Sequence, residues 1–169
     1  ITLLAGSEVD ILADGRLDFE DSLLADLDFV IASIHSGLTG PRDKVTTRTL
    51  KAMDNPHVRC IGHPTGRLLG EREAMDVDMA ALVAHAAQTG TALEVNANPY
   101  RLDLKDVHCR MAVEAGVKLA IGTDTHHLEG LTLMGFGVGT AARGWATRAD
   151  VLNTRSLSQL RKWLAKKKP

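Results

Sequence analysis

Gly122-Thr123-Asp124-Thr125-His126 follows directly on the apolar run from Val117 to Ile121. A strand that ends in Asp-x-His delivers a carboxylate and an imidazole from alternate positions, so both side chains can project the same way. Two other strand-like runs also lead into histidine: Phe29 to Ile34 before His35, and Val58 to Gly62 before His63. A further run, Leu3 to Val9, carries Glu8. Glu8, His35, His63, Asp124 and His126 are therefore the candidate metal ligands. Mixed imidazole and carboxylate donors suit Zn²⁺, Mn²⁺ or Fe²⁺ better than Ca²⁺ or a thiolate-bound ion. A carboxylate can bridge two such ions, and paired ions roughly 3.5–4 Å apart suit phosphoester hydrolysis, because they neutralise phosphate oxygens and lower the pKa of a water.

These residues need a scaffold whose strand ends converge. Strand and helix signals alternate almost from end to end. Leu3 to Ile11 reads as a strand followed by a turn at Asp14-Gly15, and Phe19 to Leu27 as a short helix with acidic residues near its start. Phe29 to Ile34 is a strand, Pro41 to Met53 a helix with proline in its first turn, and Val58 to Gly62 a strand. Asp76 to Gln88 is a helix closed by Gly90, Ala92 to Val95 a strand, Lys105 to Ala115 a helix, and Val117 to Ile121 a strand. Leu128 to Val151 is less regular, with short helical turns punctuated by glycines. Ser156 caps a final amphipathic helix to Lys167, with Leu157, Leu160, Trp163 and Leu164 on one face.

Short strands alternating with helices imply parallel βαβ units, in an open sheet or part of a barrel. The chain has no glycine-rich dinucleotide fingerprint and no P-loop, which favours a (β/α) barrel lacking its first strands. At 169 residues it is most simply one domain, 44% hydrophobic but only 4% aromatic, so its core should be aliphatic. A net charge of -1 gives no general pull toward polyanions. Cys60 and Cys109 lack metal-site spacing and fit buried thiols in a reducing compartment. No apolar stretch reaches the length of a membrane span. The chain opens on Ile1 without methionine and reads as the C-terminal piece of a longer polypeptide.

Other residues are secondary. Arg67 and Arg101 could grip a phosphate through bidentate guanidinium bonds, with Asp103 the obvious alternative partner for Arg101. Asn96 and Asn98 orient ligands or satisfy a turn. Asp10 shares the strand face of Glu8 and reads mainly as a turn cap, an acid supporting a metal ligand being the alternative. His57, His85 and His108 lie within or beside helices, and His127 reads as a surface residue. Arg161, Lys162 and Lys166 to Lys168 read as a cationic helix end with a solvated tail, DNA contact being the alternative.

Longer phrases carry a family resemblance. Gly-Ser-Glu8-Val-Asp, Ser-Ile-His35-Ser, Gly-His63-Pro-Thr-Gly-Arg-Leu-Leu-Gly, Asn96-Ala-Asn-Pro-Tyr-Arg-Leu-Asp-Leu104 and Thr-Asp124-Thr-His126 resemble the later motifs of PHP (polymerase and histidinol phosphatase) domains. The likeness is greatest to the PHP domain of bacterial family X DNA polymerases and runs from about Leu3 to Leu164. It implies a distorted (β/α)7 barrel with up to three divalent ions, Mn²⁺ or Zn²⁺. It also implies metal roles for five residues: Glu8 as the bridging carboxylate, His35 and His63 completing the second ion's ligands with it, Asp124 on the first ion beside Glu8, and His126 on the third. The implied activity is 3′-5′ exonuclease action on DNA 3′ ends by a metal-activated water, in bacterial cytoplasmic DNA repair. The implied partners are DNA, the N-terminal remainder of the domain and a polymerase core, with no membrane. A phosphatase for small phosphomonoesters and a non-catalytic structural module are the alternatives. The family's early His-x-His motif is absent from these residues, so the chain alone is expected to be inactive.

Overall fold

The structure, a computed structural model, describes residues 1–166. Lys167 and Lys168 of the expected cationic tail lie outside the described residues. The elements run β1 (Gly6–Asp10), α1 (Asp21–Ala25), β2 (Phe29–Ser33), α2 (Arg42–Asp54), β3 (Val58–Ile61), α3 (Met79–Thr89) and β4 (Ala92–Asn96). They continue with α4 (Asp106–Glu114), β5 (Leu119–Gly122), α5 (Met134–Arg143) and α6 (Leu157–Leu164).

The five strands form one parallel sheet in sequential order, β1-β2-β3-β4-β5. A doubly wound sheet reverses its order at a switch point. This sheet does not reverse, and α2, α3, α4 and α5 pack each against the next along one face. That winding is the one a (β/α) barrel uses, so the architecture is α/β and consistent with a partial barrel. The main core lies between sheet and helices, where Val30, Ala32, Val58, Ile61, Leu93, Val95, Leu119 and Ile121 are buried.

The opposite, inner face is different. Cys60 and Ala92 form a smaller cluster there with Leu152, joined by Phe29, Ile31, Ala120 and Trp163. Trp163 of α6 stacks on Phe29 at 6.4 Å between ring centroids. Phe29 and Ala92 open their strands, so α6 covers the N-terminal halves of the sheet and leaves the C-terminal ends clear. Ser156 holds α6 in place with a capping box completed by Gln159.

Two local expectations are corrected. Pro41 is the N-cap of α2 rather than part of its first turn. The glycine-punctuated stretch after Leu128 contains a ten-residue helix, α5, after one 3₁₀ segment. Glycine weakens a helix by roughly 1 kcal/mol relative to alanine, yet Gly137 is needed here. A Cβ at that position would stand 2.5 Å from Ile121 Cγ2 and 2.8 Å from Ala97 Cβ. Close packing onto the sheet therefore offsets the weak propensity.

Candidate metal centre

Alternation along β1 puts Val9 into the main core and turns Glu8 and Asp10 to the inner face. His35 and His63 each stand two residues past the end of their strand. All three strands are neighbours, so Glu8, His35 and His63 meet. His63 Nε2 lies 2.9 Å from Glu8 Oε1, and His35 Nε2 lies 3.4 Å from the same oxygen. The two imidazoles meet edge to face at 5.2 Å. One donor atom from each of the three residues lies within 4.8 Å of the others, a spacing that could hold a metal ion.

The cluster has a wall and a mouth. The His63 side chain is 3% exposed, whereas His35 and Glu8 are 42% and 36% exposed. Glu8 is held down at about 2, first by its hydrogen bond to His63 and against the opposing effect of burial. For His63, burial works against the imidazolium, but the bond to Glu8 and nearby carboxylates outweigh it, and the net shift is upward.

Asp10 does more than cap a turn. Its Oδ1 lies 2.5 Å from His35 Nδ1, which directs the other ring nitrogen toward Glu8. A carboxylate behind a histidine fixes tautomer and ring orientation in just this way. Its i, i+2 relation to Glu8 was the available signal.

Glu94 is a functional candidate that sequence reasoning passed over. It sits at the centre of β4 and is 7% exposed. Its Oε2 accepts from the His63 backbone N–H at 2.5 Å, clamping a backbone whose φ is 24°. Positive φ is costly for a side-chain-bearing residue and gathers at functional positions. Burial pushes the Glu94 carboxyl up to about 7. Gly122 makes room for it, since a Cβ there would stand 2.6 Å from Glu94 Oε1. The only sequence signal was a charge inside an otherwise apolar strand.

Asp124 lies past the end of β5, also with positive φ, 50°. Its Oδ2 receives Asn96 Nδ2 at 3.1 Å and Arg101 Nε at 3.2 Å. Asn96 thus orients Asp124, whereas Asn98 serves its own turn by accepting from the Tyr100 N–H. Arg101 pairs with Asp124 and not with Asp103, whose Oδ2 is taken by the Thr65 N–H at 2.9 Å. Arg67 donates to the carbonyls of Arg101 (2.7 Å) and Leu102, tying two loops together. His126 is exposed, and among the described residues no contact joins it to the Glu8 cluster. The structure therefore gathers Glu8, His35 and His63 as one group and places Asp124 with Arg101 beside it.

His85 Nε2 meets Asp54 Oδ1 at 2.7 Å, and burial takes His108 down to about 4. Both cysteines are buried.

Fold and site together define an α/β domain whose five-stranded parallel sheet, consistent with a partial barrel, carries a carboxylate–imidazole cluster at its C-terminal strand ends. No family model matches the chain. The chain is 48% identical over 162 residues to the DNA polymerase/3'-5' exonuclease PolX of Bacillus subtilis, covering 96% of this chain and 28% of that protein. It is 32% identical over 136 residues to a "Probable phosphatase" of Thermoanaerobacter sp., covering 75% of this chain and 53% of that one. A "Probable phosphatase" of Syntrophotalea carbinolica is 31% identical over 145 residues, 80% of this chain and 58% of its own length. The chain thus spans less than a third of PolX and little more than half of these phosphatases. These likenesses support a phosphoesterase domain of PHP type. No helix among the described residues is long and apolar enough to cross a membrane.

Proposed function

We propose that this chain is most of the metal-dependent phosphoesterase domain of a bacterial family X DNA polymerase, acting as a 3′-5′ exonuclease on DNA 3′ ends in the cytoplasm during repair. The observation that carries the reading is the approach of two imidazole Nε2 atoms to one Glu8 oxygen, on a chain 48% identical to PolX. The donor set fits a divalent ion of the Mn²⁺ or Zn²⁺ kind: two imidazoles, one carboxylate and a supporting carboxylate behind His35.

Glu8, His35 and His63 hold such an ion, which supplies Lewis-acid charge for phosphoryl oxygens and lowers the pKa of a water. Asp124 and His126 serve further ions, up to three in the intact domain. Arg101, already facing Asp124 and with its Nη1 buried and unpartnered, grips a phosphate oxygen. Arg67 supports that grip by fixing the Arg101 carbonyl. The first strands of a (β/α)7 barrel, with the remaining ligands, come from elsewhere in the polypeptide. They would close over the inner face, where an apolar cavity of about 220 Å³ is lined by Ile31, Cys60, Glu94, Leu152 and Leu160.

A second reading, a phosphatase for small phosphomonoesters, draws on the 31% and 32% identical relatives. One experiment separates the two. The full-length protein and its Glu8→Gln variant are given manganese with a labelled single-stranded oligonucleotide or with p-nitrophenyl phosphate. Stepwise shortening from the 3′ end that needs both manganese and Glu8 supports the nuclease. Release of nitrophenol alone supports the phosphatase. Neither activity, with no ion bound, leaves a structural barrel and refutes both.

A further inference from the structure

The opposite end of the sheet carries a second feature. A pocket of about 450 Å³ lies at the N-terminal ends of β3, β4 and β5, roofed by α6. It is lined by Arg59 on β3, Lys118 just before β5, Arg155 just before α6, and Lys162 and Lys166 on and after α6. These five cations come from separate parts of a chain whose net charge is -1, and no carboxylate lines the pocket among the described residues.

Their partners are neutral. Lys118 Nζ donates to the Ala149 carbonyl at 3.1 Å, Arg155 Nη2 to the same carbonyl at 3.4 Å, and Arg59 Nη1 to the Lys166 carbonyl at 3.2 Å. The Arg155 Nε is buried and has no hydrogen-bond partner. Among the described residues none of the five forms an ion pair. Gathering like charges costs free energy unless an anion joins them. Two local negative features reduce the excess without cancelling it. The carbonyl end of α3 faces the pocket and contributes about half a charge. Asp150, bonded chiefly to Thr147, also feels Lys118.

We propose that this pocket binds a run of consecutive phosphate groups. Guanidinium and ammonium groups converging from several elements are the recognition chemistry of phosphates, and the volume falls in the range of sites for phosphorylated small molecules or a few nucleotides. The site is separate from the metal cluster: strands of four or five residues put about 15 Å between the two ends of the sheet. It therefore does not depend on the nuclease reading.

The phosphates come from a nucleic-acid backbone or from a free polyphosphate, and one experiment tests both sources. The full-length protein is acetylated in the presence of a chelator, so the metal cluster cannot contribute, and each lysine is followed by mass spectrometry. Inorganic tripolyphosphate and an oligothymidylate are the probes. At ten times the half-saturating concentration, acetylation of Lys118, Lys162 and Lys166 should slow about tenfold, while exposed Lys44 on α2 is unaffected. Protection by the oligonucleotide at lower phosphate concentration assigns the site to a nucleic-acid backbone. Protection by tripolyphosphate alone assigns it to a free polyphosphate. The exposed substitution Lys162→Gln should raise the concentration needed to protect Lys118 about tenfold. Protection of none of the three lysines by either probe, or equal slowing at Lys44, overturns the proposal.

Discussion

The two ends of the same five strands are chemical opposites. At the C-terminal ends, carboxylates and imidazoles crowd together, with Arg101 facing Asp124 among them. At the N-terminal ends, five cations line one pocket, with no carboxylate among the described residues that line it. The first arrangement attracts cations and the second anions, and a phosphoester enzyme has use for both. The difference also shows how the fold divides its labour. α6 fills the inner face near the strand starts with Trp163 and carries Lys162, so one helix both covers the sheet and charges its lower edge. At the other end, His35 and Glu8 are partly accessible while His63 forms the wall.

The largest expected effect separates the two ends outright. Glu8→Gln should lower metal-dependent hydrolysis about 10³-fold, the several kcal/mol of charge stabilisation a bound ion supplies. Any polymerase activity of the full-length protein, and phosphate protection of Lys118, should be unchanged. Loss of protection in this variant would show that the ends are not independent. A smaller loss is expected of Asp10→Asn, which keeps the shape but weakens the support behind His35. Its manganese affinity should fall about 10- to 100-fold, as measured by competition with a fluorescent chelator. Unaltered affinity would make Asp10 only a turn residue.

Glu94 tests the upper end through pH. Its carboxyl titrates at about 7 when folded, against an ordinary value of 4.5. Between those values the unfolded chain has already released the proton that the folded chain still binds, so stability falls as pH rises through this window. In metal-free protein, the stability of wild type should fall more steeply than that of Glu94→Gln between pH 4.5 and pH 8 in urea unfolding. Parallel pH profiles would refute the buried-acid assignment. The smallest effect concerns salt. Raising ionic strength from about 50 to 200 mM should weaken phosphate protection at Lys118 several-fold while leaving manganese affinity less affected, because the lower pocket is a field of partly exposed charges.

How much of this could be read from the sequence depended on distance along the chain. The strands and most helix ends lie within three residues of where apolar runs and caps put them, because those signals are local. His35 and His63 were readable as residues just past strands, and Asp10 as the i+2 neighbour of Glu8. Glu94 was not, since its role depends on a backbone N–H 31 residues away. Proximity in sequence makes Asp103 the alternative partner of the phosphate candidate Arg101, but β4 and β5 are adjacent strands and bring Asp124 to it instead. The ten-residue helix α5 was hidden by its glycines, whose value is in packing rather than propensity. The basic pocket was least visible. Lys162 and Lys166 read as a solvated helix end until the fold brought Arg59, Lys118 and Arg155 around them.

The most direct measurement is manganese binding to the full-length protein, followed by electron paramagnetic resonance, in wild type beside Glu8→Gln and His63→Gln. Wild type should bind manganese stoichiometrically, and each variant should lose at least one bound ion while retaining its fold by circular dichroism. Undiminished manganese in both variants would show that Glu8 and His63 hold no ion, and the metal centre described here would be wrong.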